Sequence, residues 1–138
     1  MNELKYAIVC VDDDPFILQM LGFQLDKLIE RQSTVIEFFT DPMEAIRNIN
    51  QLVAEKIEIL FVIVDYQMPN MTGAEFIRLL KDQFPEIRCI MLSGQASAIH
   101  VDDLVNDNLL DSFISKPWDE KELYSITQEI FKKKYQVK

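Results

Sequence analysis

The chain has 138 residues, 49% of them hydrophobic, which suits one domain with a substantial buried core. A formal net charge of −9 argues against direct nucleic-acid binding, which relies on Lys and Arg to neutralise phosphates. Apolar runs such as Ile59 to Val64 stop far short of the roughly 20 residues that cross a bilayer, and the N-terminus carries no secretory pattern, so the expectation is one soluble, cytoplasmic domain over 1–138.

The first strand candidate is Tyr6 to Val11. Helical spacing follows from Phe16 to Glu30, and Asp14 with Pro15 supplies an N-cap and a favourable first helical residue. Val35 to Phe39 reads as a second strand, and Asp41 with Pro42 repeats the capping device ahead of a helix over Pro42 to Ala54. The continuously apolar run Ile59 to Val64 suits a central strand buried on both faces. A helix over Gly73 to Gln83, a strand over Ile87 to Leu92, a helix over Ser97 to Asn106, a short strand over Ser112 to Ser115 and a helix over Glu120 to Lys133 complete the pattern. Strand and helix thus alternate five times, which implies an α/β domain with a parallel sheet covered by helices on both faces. On the last helix Leu123, Ile126, Ile130 and Phe131 form an inward stripe, and Lys132 to Lys134 place cations near the negative end of the helix dipole. Cys10 and Cys89 sit in strand-like runs and read as buried free thiols. The single histidine, His100, has no nearby Cys or second His, so no zinc site is expected.

In open parallel sheets ligands bind at the carboxyl ends of the strands. There the sequence places Asp12, Asp13 and Asp14 after the first strand, Asp65 after the third, Ser93 and Gly94 after the fourth, and Ser115, Lys116 and Pro117 after the fifth. Acidic residues after strands are common, and the convergence of all these on one edge is what points to a site. Two carboxylates ~4 Å apart repel by ~4 kcal/mol at an effective dielectric near 20, so one lysine cannot relieve three of them. A hard divalent cation with oxygen ligands can, and Mg²⁺ typically combines one or two carboxylates with waters and a phosphate oxygen. Such a site anticipates a phosphoryl group, whose transfer needs mainly positioning and charge neutralisation. Asp65, alone on the central strand beside the acidic pair, is the best nucleophile.

Four segments carry a family resemblance: IVCVDDDP, VIVDYQMPNMTG, MLSG and FISKPW. Together they resemble the receiver domain of two-component response regulators, over essentially the whole chain. The resemblance implies a doubly wound, flavodoxin-like (βα)5 fold with five parallel strands in the order 2-1-3-4-5. It implies Asp65 as phosphoacceptor, and Mg²⁺ (Mn²⁺ possible) held by Asp12, Asp13, Asp65 and the backbone carbonyl of Gln67. Ser93 takes the hydroxyl switch position, Phe113 the aromatic switch position and Lys116 the lysine position. A histidine kinase or histidine phosphotransfer protein would be the donor. The phosphorylated state would alter a surface of the fourth helix, fifth strand and fifth helix, read by a downstream protein or fused effector domain, none of which lies within 1–138. The domain would catalyse its own phosphorylation and dephosphorylation without turning over an external substrate. Phe113 lacks the hydroxyl of the tyrosine common there, so its rotamer change would be driven by packing. The side chains of Gln67 and Gln95 would tune loss of the phosphoryl group, the Lys116–Pro117 bond would be cis, and Trp118 reads as packing. The implied strand order also separates Cys10 from Cys89 by about 9 to 10 Å, beyond the ~7 Å limit for a disulfide.

Two other readings remain open. Asp12 and Asp14 have the D-x-D spacing of a haloacid-dehalogenase-like phosphatase, although the chain is short for one and Asp65, Ser93 and Lys116 would go unexplained. A pseudo-receiver, an interaction module that is never phosphorylated, is the third.

Overall fold

The computed structural model describes residues 3–94 and 109–135. In chain order it contains β1 (Tyr6–Val11), α1 (Pro15–Asp26), β2 (Thr34–Phe39), α2 (Pro42–Ala54), β3 (Glu58–Asp65), α3 (Gly73–Gln83), β4 (Cys89–Ser93), β5 (Ser112–Ser115) and α4 (Glu120–Tyr135). The helix expected over Ser97 to Asn106, with Gln95 and His100, lies outside the described residues.

Local chemistry starts each helix. Asp14 and Asp41 accept the Phe16 and Met43 N–H groups at 3.0 Å each, and both are followed by proline at the first helical position. Thr72 and Glu75 cap α3 reciprocally, the hydroxyl accepting Glu75 N–H at 3.1 Å and the carboxylate accepting Thr72 N–H at 2.9 Å.

All five strands pair in parallel in the order β2-β1-β3-β4-β5. Alternate residues feed two apolar layers. Ala7, Val9, Val11, Val62, Val64, Cys89 and Met91 face α2 and α3, where Ile49, Phe76 and Leu80 cover them. Ile8, Cys10, Phe61, Ile63, Ile90, Leu92 and Ile114 face α1 and α4, under Leu18, Leu21, Leu25, Leu123 and Ile130. On β3, Leu60 is an extra residue, because Ala7 pairs with Ile59 and Ile8 with Phe61. That bulge moves Phe61 and Ile63 to the α1 side, since a one-residue slip exchanges the faces of everything beyond it. Cys10 and Cys89 are buried free thiols in opposite layers, and Ile126 and Phe131 join the inward stripe of α4.

Two boundaries differ from the sequence pattern. The first helix ends at Asp26, not Glu30, because Leu28 N–H turns back to the Leu25 carbonyl at 2.8 Å. Leu28 and Ile29 still pack on the core from the turn, which is why their apolar spacing continues the helical period. Similarly β4 starts at Cys89, since Ile87 N–H bonds the Phe84 carbonyl at 3.1 Å while its side chain stays buried.

Glycines at two helix positions make opposite demands. A Cβ on Gly73 would lie 2.5 Å from the Asp65 carbonyl oxygen and 2.9 Å from Tyr66 Cα, and backbone cannot move aside cheaply. A Cβ on Gly22 would meet Phe38 Cζ at 2.7 Å, the tip of a side chain on a residue 42% exposed. Gly73→Ala is therefore expected to cost about 2 to 3 kcal/mol in urea unfolding. Gly22→Ala should stay within about 1 kcal/mol of the parent, ring displacement being offset by the helix preference of alanine; equal losses would contradict this packing.

Candidate functional site

The sheet's carboxyl edge gathers residues from four strand ends. Asp12 and Asp13 follow β1, Asp65 closes β3, Ser93 closes β4 and Lys116 follows β5. Hydrogen bonds beyond the strands hold this edge in register: Tyr66 N–H donates to the Leu92 carbonyl at 2.8 Å, Lys116 N–H to Ser93 at 2.8 Å and Gly73 N–H to Tyr66 at 2.7 Å.

Asp12 and Asp65 are buried, whereas Asp13 is exposed, and each offers one carboxylate oxygen within 4.8 Å of the others. Lys116 Nζ bridges the buried pair, 2.8 Å from Asp65 Oδ1 and 3.1 Å from Asp12 Oδ2. Asp12 Oδ1 accepts the Asp14 N–H at 2.9 Å. One carboxylate oxygen of Asp14 is taken by the α1 cap, and Asp14 is not among the three residues whose carboxylate oxygens cluster. A cleft of about 700 Å³ opens over the cluster, lined by Asp12, Asp13, Asp65, Gln67, Gly94 and Lys116 among others.

Burial pushes the Asp12 carboxyl up to about 6, with the Asp65 charge adding to the shift and the Asp14 N–H and Lys116 opposing it. Asp65 is also raised by burial, against the pull of its hydrogen bond and ion pair with Lys116. For Lys116 burial acts downward, but the hydrogen bond to Asp65 and the charge of Asp12 outweigh it and hold the ammonium above its ordinary value. Burial is costing the carboxylates more than one lysine returns.

This donor set fits a divalent cation. Asp12 Oδ2 is buried, and the neighbouring cation it has, Lys116 Nζ at 3.1 Å, is shared with Asp65. An oxygen-only cluster with surplus negative charge suits Mg²⁺ or Mn²⁺ better than a thiophilic metal.

The remaining expected residues fall differently. Gln67 lines the cleft. Ser93 is buried, and its hydroxyl donates to the Gly94 carbonyl at 2.9 Å. Phe113 pairs with Met91 and packs, partly buried, on the layer facing α2 and α3. The Lys116–Pro117 bond is cis. Trp118 packs on the α1 layer and donates its indole N–H to Gln24 Oε1 at 2.8 Å. Thr72 also borders the cleft, and the T-x-x-E spacing to Glu75 is the sequence signal for it. Gln24 has no such signal.

Comparison with known proteins agrees with this geometry. The family model described as response regulator receiver domain matches residues 8–128. A signal receiver domain of an HD domain-containing protein from Pseudomonas fluorescens Pf-5 is 26% identical with a TM-score of 0.78, over 96% of this chain and 99% of that one. A response regulator receiver domain protein from Clostridium thermocellum shares the fold at a TM-score of 0.80 and 21% identity, over 96% and 99% of the two chains. The heme response regulator HssR of Staphylococcus saprophyticus is 31% identical over 89% of this chain and 50% of its own length. The chain spans from 4% to about half of the length of the curated relatives it matches. Since the match runs from within β1 to within α4 and takes in every strand end at the acidic edge, the chain belongs to the response regulator receiver domain family.

Proposed function

We propose that this receiver domain accepts a phosphoryl group on Asp65 from a histidine kinase or histidine phosphotransfer protein, in the cytoplasm, and that the modification changes a surface read by a downstream protein or fused effector domain. The observation carrying this reading is the buried Asp12–Lys116–Asp65 bridge with Asp13 beside it at the open edge of the sheet.

Lys116 on one Asp65 oxygen orients that carboxylate. An Asp65 oxygen attacks phosphorus, an O–P bond forms, the bond to the donor nitrogen breaks, and the electron pair leaves on the imidazole. Asp12, Asp13, Asp65 and the Gln67 carbonyl would hold Mg²⁺, which supplies charge neutralisation to the oxygens of the transferring group. Lys116 then pairs with the phosphoryl oxygens. The Ser93 hydroxyl gives up the Gly94 carbonyl to donate to one of them, and Phe113 turns inward as it moves. The responding surface comprises β5 and α4; the helix expected to complete it lies outside the described residues. On α1, Phe16 and Phe23 are 78% and 70% exposed, apolar surface of the kind partners cover.

Asp65→Asn is expected to abolish labelling by acetyl phosphate with Mg²⁺, read as a mass increment on the intact chain; an undiminished increment would show that another residue is the acceptor.

A pH dependence follows from Asp12, which is raised to about 6. Its proton competes with the divalent ion, so Mg²⁺ affinity is expected to drop as pH falls below about 6. Metal-free stability runs the other way. A carboxyl with a folded pKa above its ordinary 3.8 destabilises the fold above about pH 6, and this cost is relieved as pH falls through 6 toward 3.8. Melts in chelator should therefore give a higher midpoint near about pH 5.5 than near about pH 7.5, and Asp12→Asn should reduce that difference, the raised Asp65 carboxyl contributing with the same sign. A parent protein less stable at the lower pH would contradict the buried-charge account.

A further inference from the structure

Lys116 is the cation of the site, and what sets its position lies on both sides of it. Upstream, its N–H is tied to the Ser93 carbonyl at 2.8 Å. Downstream, only Pro117 and Trp118 separate it from Asp119, which starts α4 by accepting Lys121 N–H on Oδ1 at 3.0 Å and Glu122 N–H on its carbonyl at 2.9 Å. In this short span the side chain of Trp118 reaches away from the site to α1. Its indole N–H donates to Gln24 Oε1 at 2.8 Å, a bond between residues 94 apart in sequence.

The chemistry of the pair fixes its direction. Indole N–H only donates, so the Gln24 amide must present its oxygen. A half-buried indole without that acceptor would hold an unsatisfied donor against the apolar layer. A second link runs in parallel: Lys27 at the end of α1 lies 2.9 Å from Glu120 at the start of α4. Its side chains are 52% and 47% exposed, and exposed ion pairs contribute little. The Gln24–Trp118 bond is therefore the stronger of the two ties between α1 and the segment that carries Lys116.

We infer that Gln24 is a positioning residue for Lys116, acting through Trp118 to hold the ammonium between Asp12 and Asp65. The inference rests on the proposed phosphoryl-acceptor role for its rate effect, but its geometric part stands apart from that role. Gln24 itself belongs neither to the acidic cluster nor to the residues that line the cleft. Without the acceptor, Trp118 is free to re-orient, and the two-residue connection transmits the shift to Lys116. Metal affinity should change little, because the substitution alters none of Asp12, Asp13 and Asp65 and shifts the Lys116 ammonium without removing it.

The test compares the full chain with Gln24→Leu, which keeps bulk and removes the acceptor, and Gln24→Glu, which restores an oxygen at the same reach. At saturating Mg²⁺, Gln24→Leu is expected to slow acetyl phosphate labelling about fivefold, the equivalent of one neutral hydrogen bond of about 1 kcal/mol at 1.36 kcal/mol per tenfold. Mg²⁺ affinity should change less than about twofold, and Gln24→Glu should recover most of the rate. In the metal-free protein the backbone amide resonance of Lys116 should move in Gln24→Leu and return in Gln24→Glu. Trp118, the single tryptophan, reports by its emission whether the bond has been broken. A shifted emission with an unmoved Lys116 amide and a parental rate would overturn the inference, as would a Gln24→Glu variant as slow as Gln24→Leu. Should the parent itself take no label while the Lys116 amide still responds to Gln24→Leu, the positioning link stands and the phosphoryl-acceptor reading fails.

Discussion

Two carboxylates are buried at one edge of this sheet and share a single ammonium, with a third carboxylate at the rim. Water would solvate these groups far better than the protein does, and Lys116 balances only part of the charge. Burial, and to a lesser extent the neighbouring carboxylate charge, raises both the Asp12 and the Asp65 carboxyls. A cluster in this condition favours whatever brings positive charge or accepts a hydrogen bond from Lys116, which is the condition that a divalent ion and a phosphoryl group meet together.

The fold exists, in functional terms, to keep that arrangement from relaxing. Carboxylates on flexible loops would move apart; here Asp65 ends a strand buried on both faces, and Asp12 immediately follows its neighbour β1. The bulge at Leu60 sets the phase of the rest of β3, so its presence determines the side of the sheet to which the residues before Asp65 belong. Gly73 then lets α3 start against the backbone of Asp65 and Tyr66, closer than any Cβ allows. Positioning of Asp65 is thus a backbone property, secured by strand pairing and by a contact only glycine can make.

Helix α1 serves the site in three directions. Its start is fixed by Asp14, the neighbour of the acidic pair. Leu18, Leu21 and Leu25 anchor it to the sheet. Gln24 and Lys27 connect it to the segment and helix that follow Lys116. Meanwhile Phe16, Met20 and Phe23 remain exposed, so a partner seated on this helix would press on the same element that braces the lysine.

The order of the described elements, their helix starts and the acidic edge were legible in the sequence because each rests on local physics. Apolar period separates strand from helix, Asp-Pro pairs announce helix starts, and the strand-end rule gathers Asp12, Asp13, Asp65 and Lys116 without coordinates. Tertiary structure alone decided the rest. Apolar spacing reports burial rather than hydrogen bonding, so Leu28 and Ile29 prolonged the helical pattern past the true end of α1. The same limit hid the bulge in the uniformly apolar β3. Ser93 bonded to the Gly94 carbonyl, and Trp118 joined to Gln24 across 94 positions, depend on which groups packing brings within about 3 Å, and no short-range pattern in a chain encodes that.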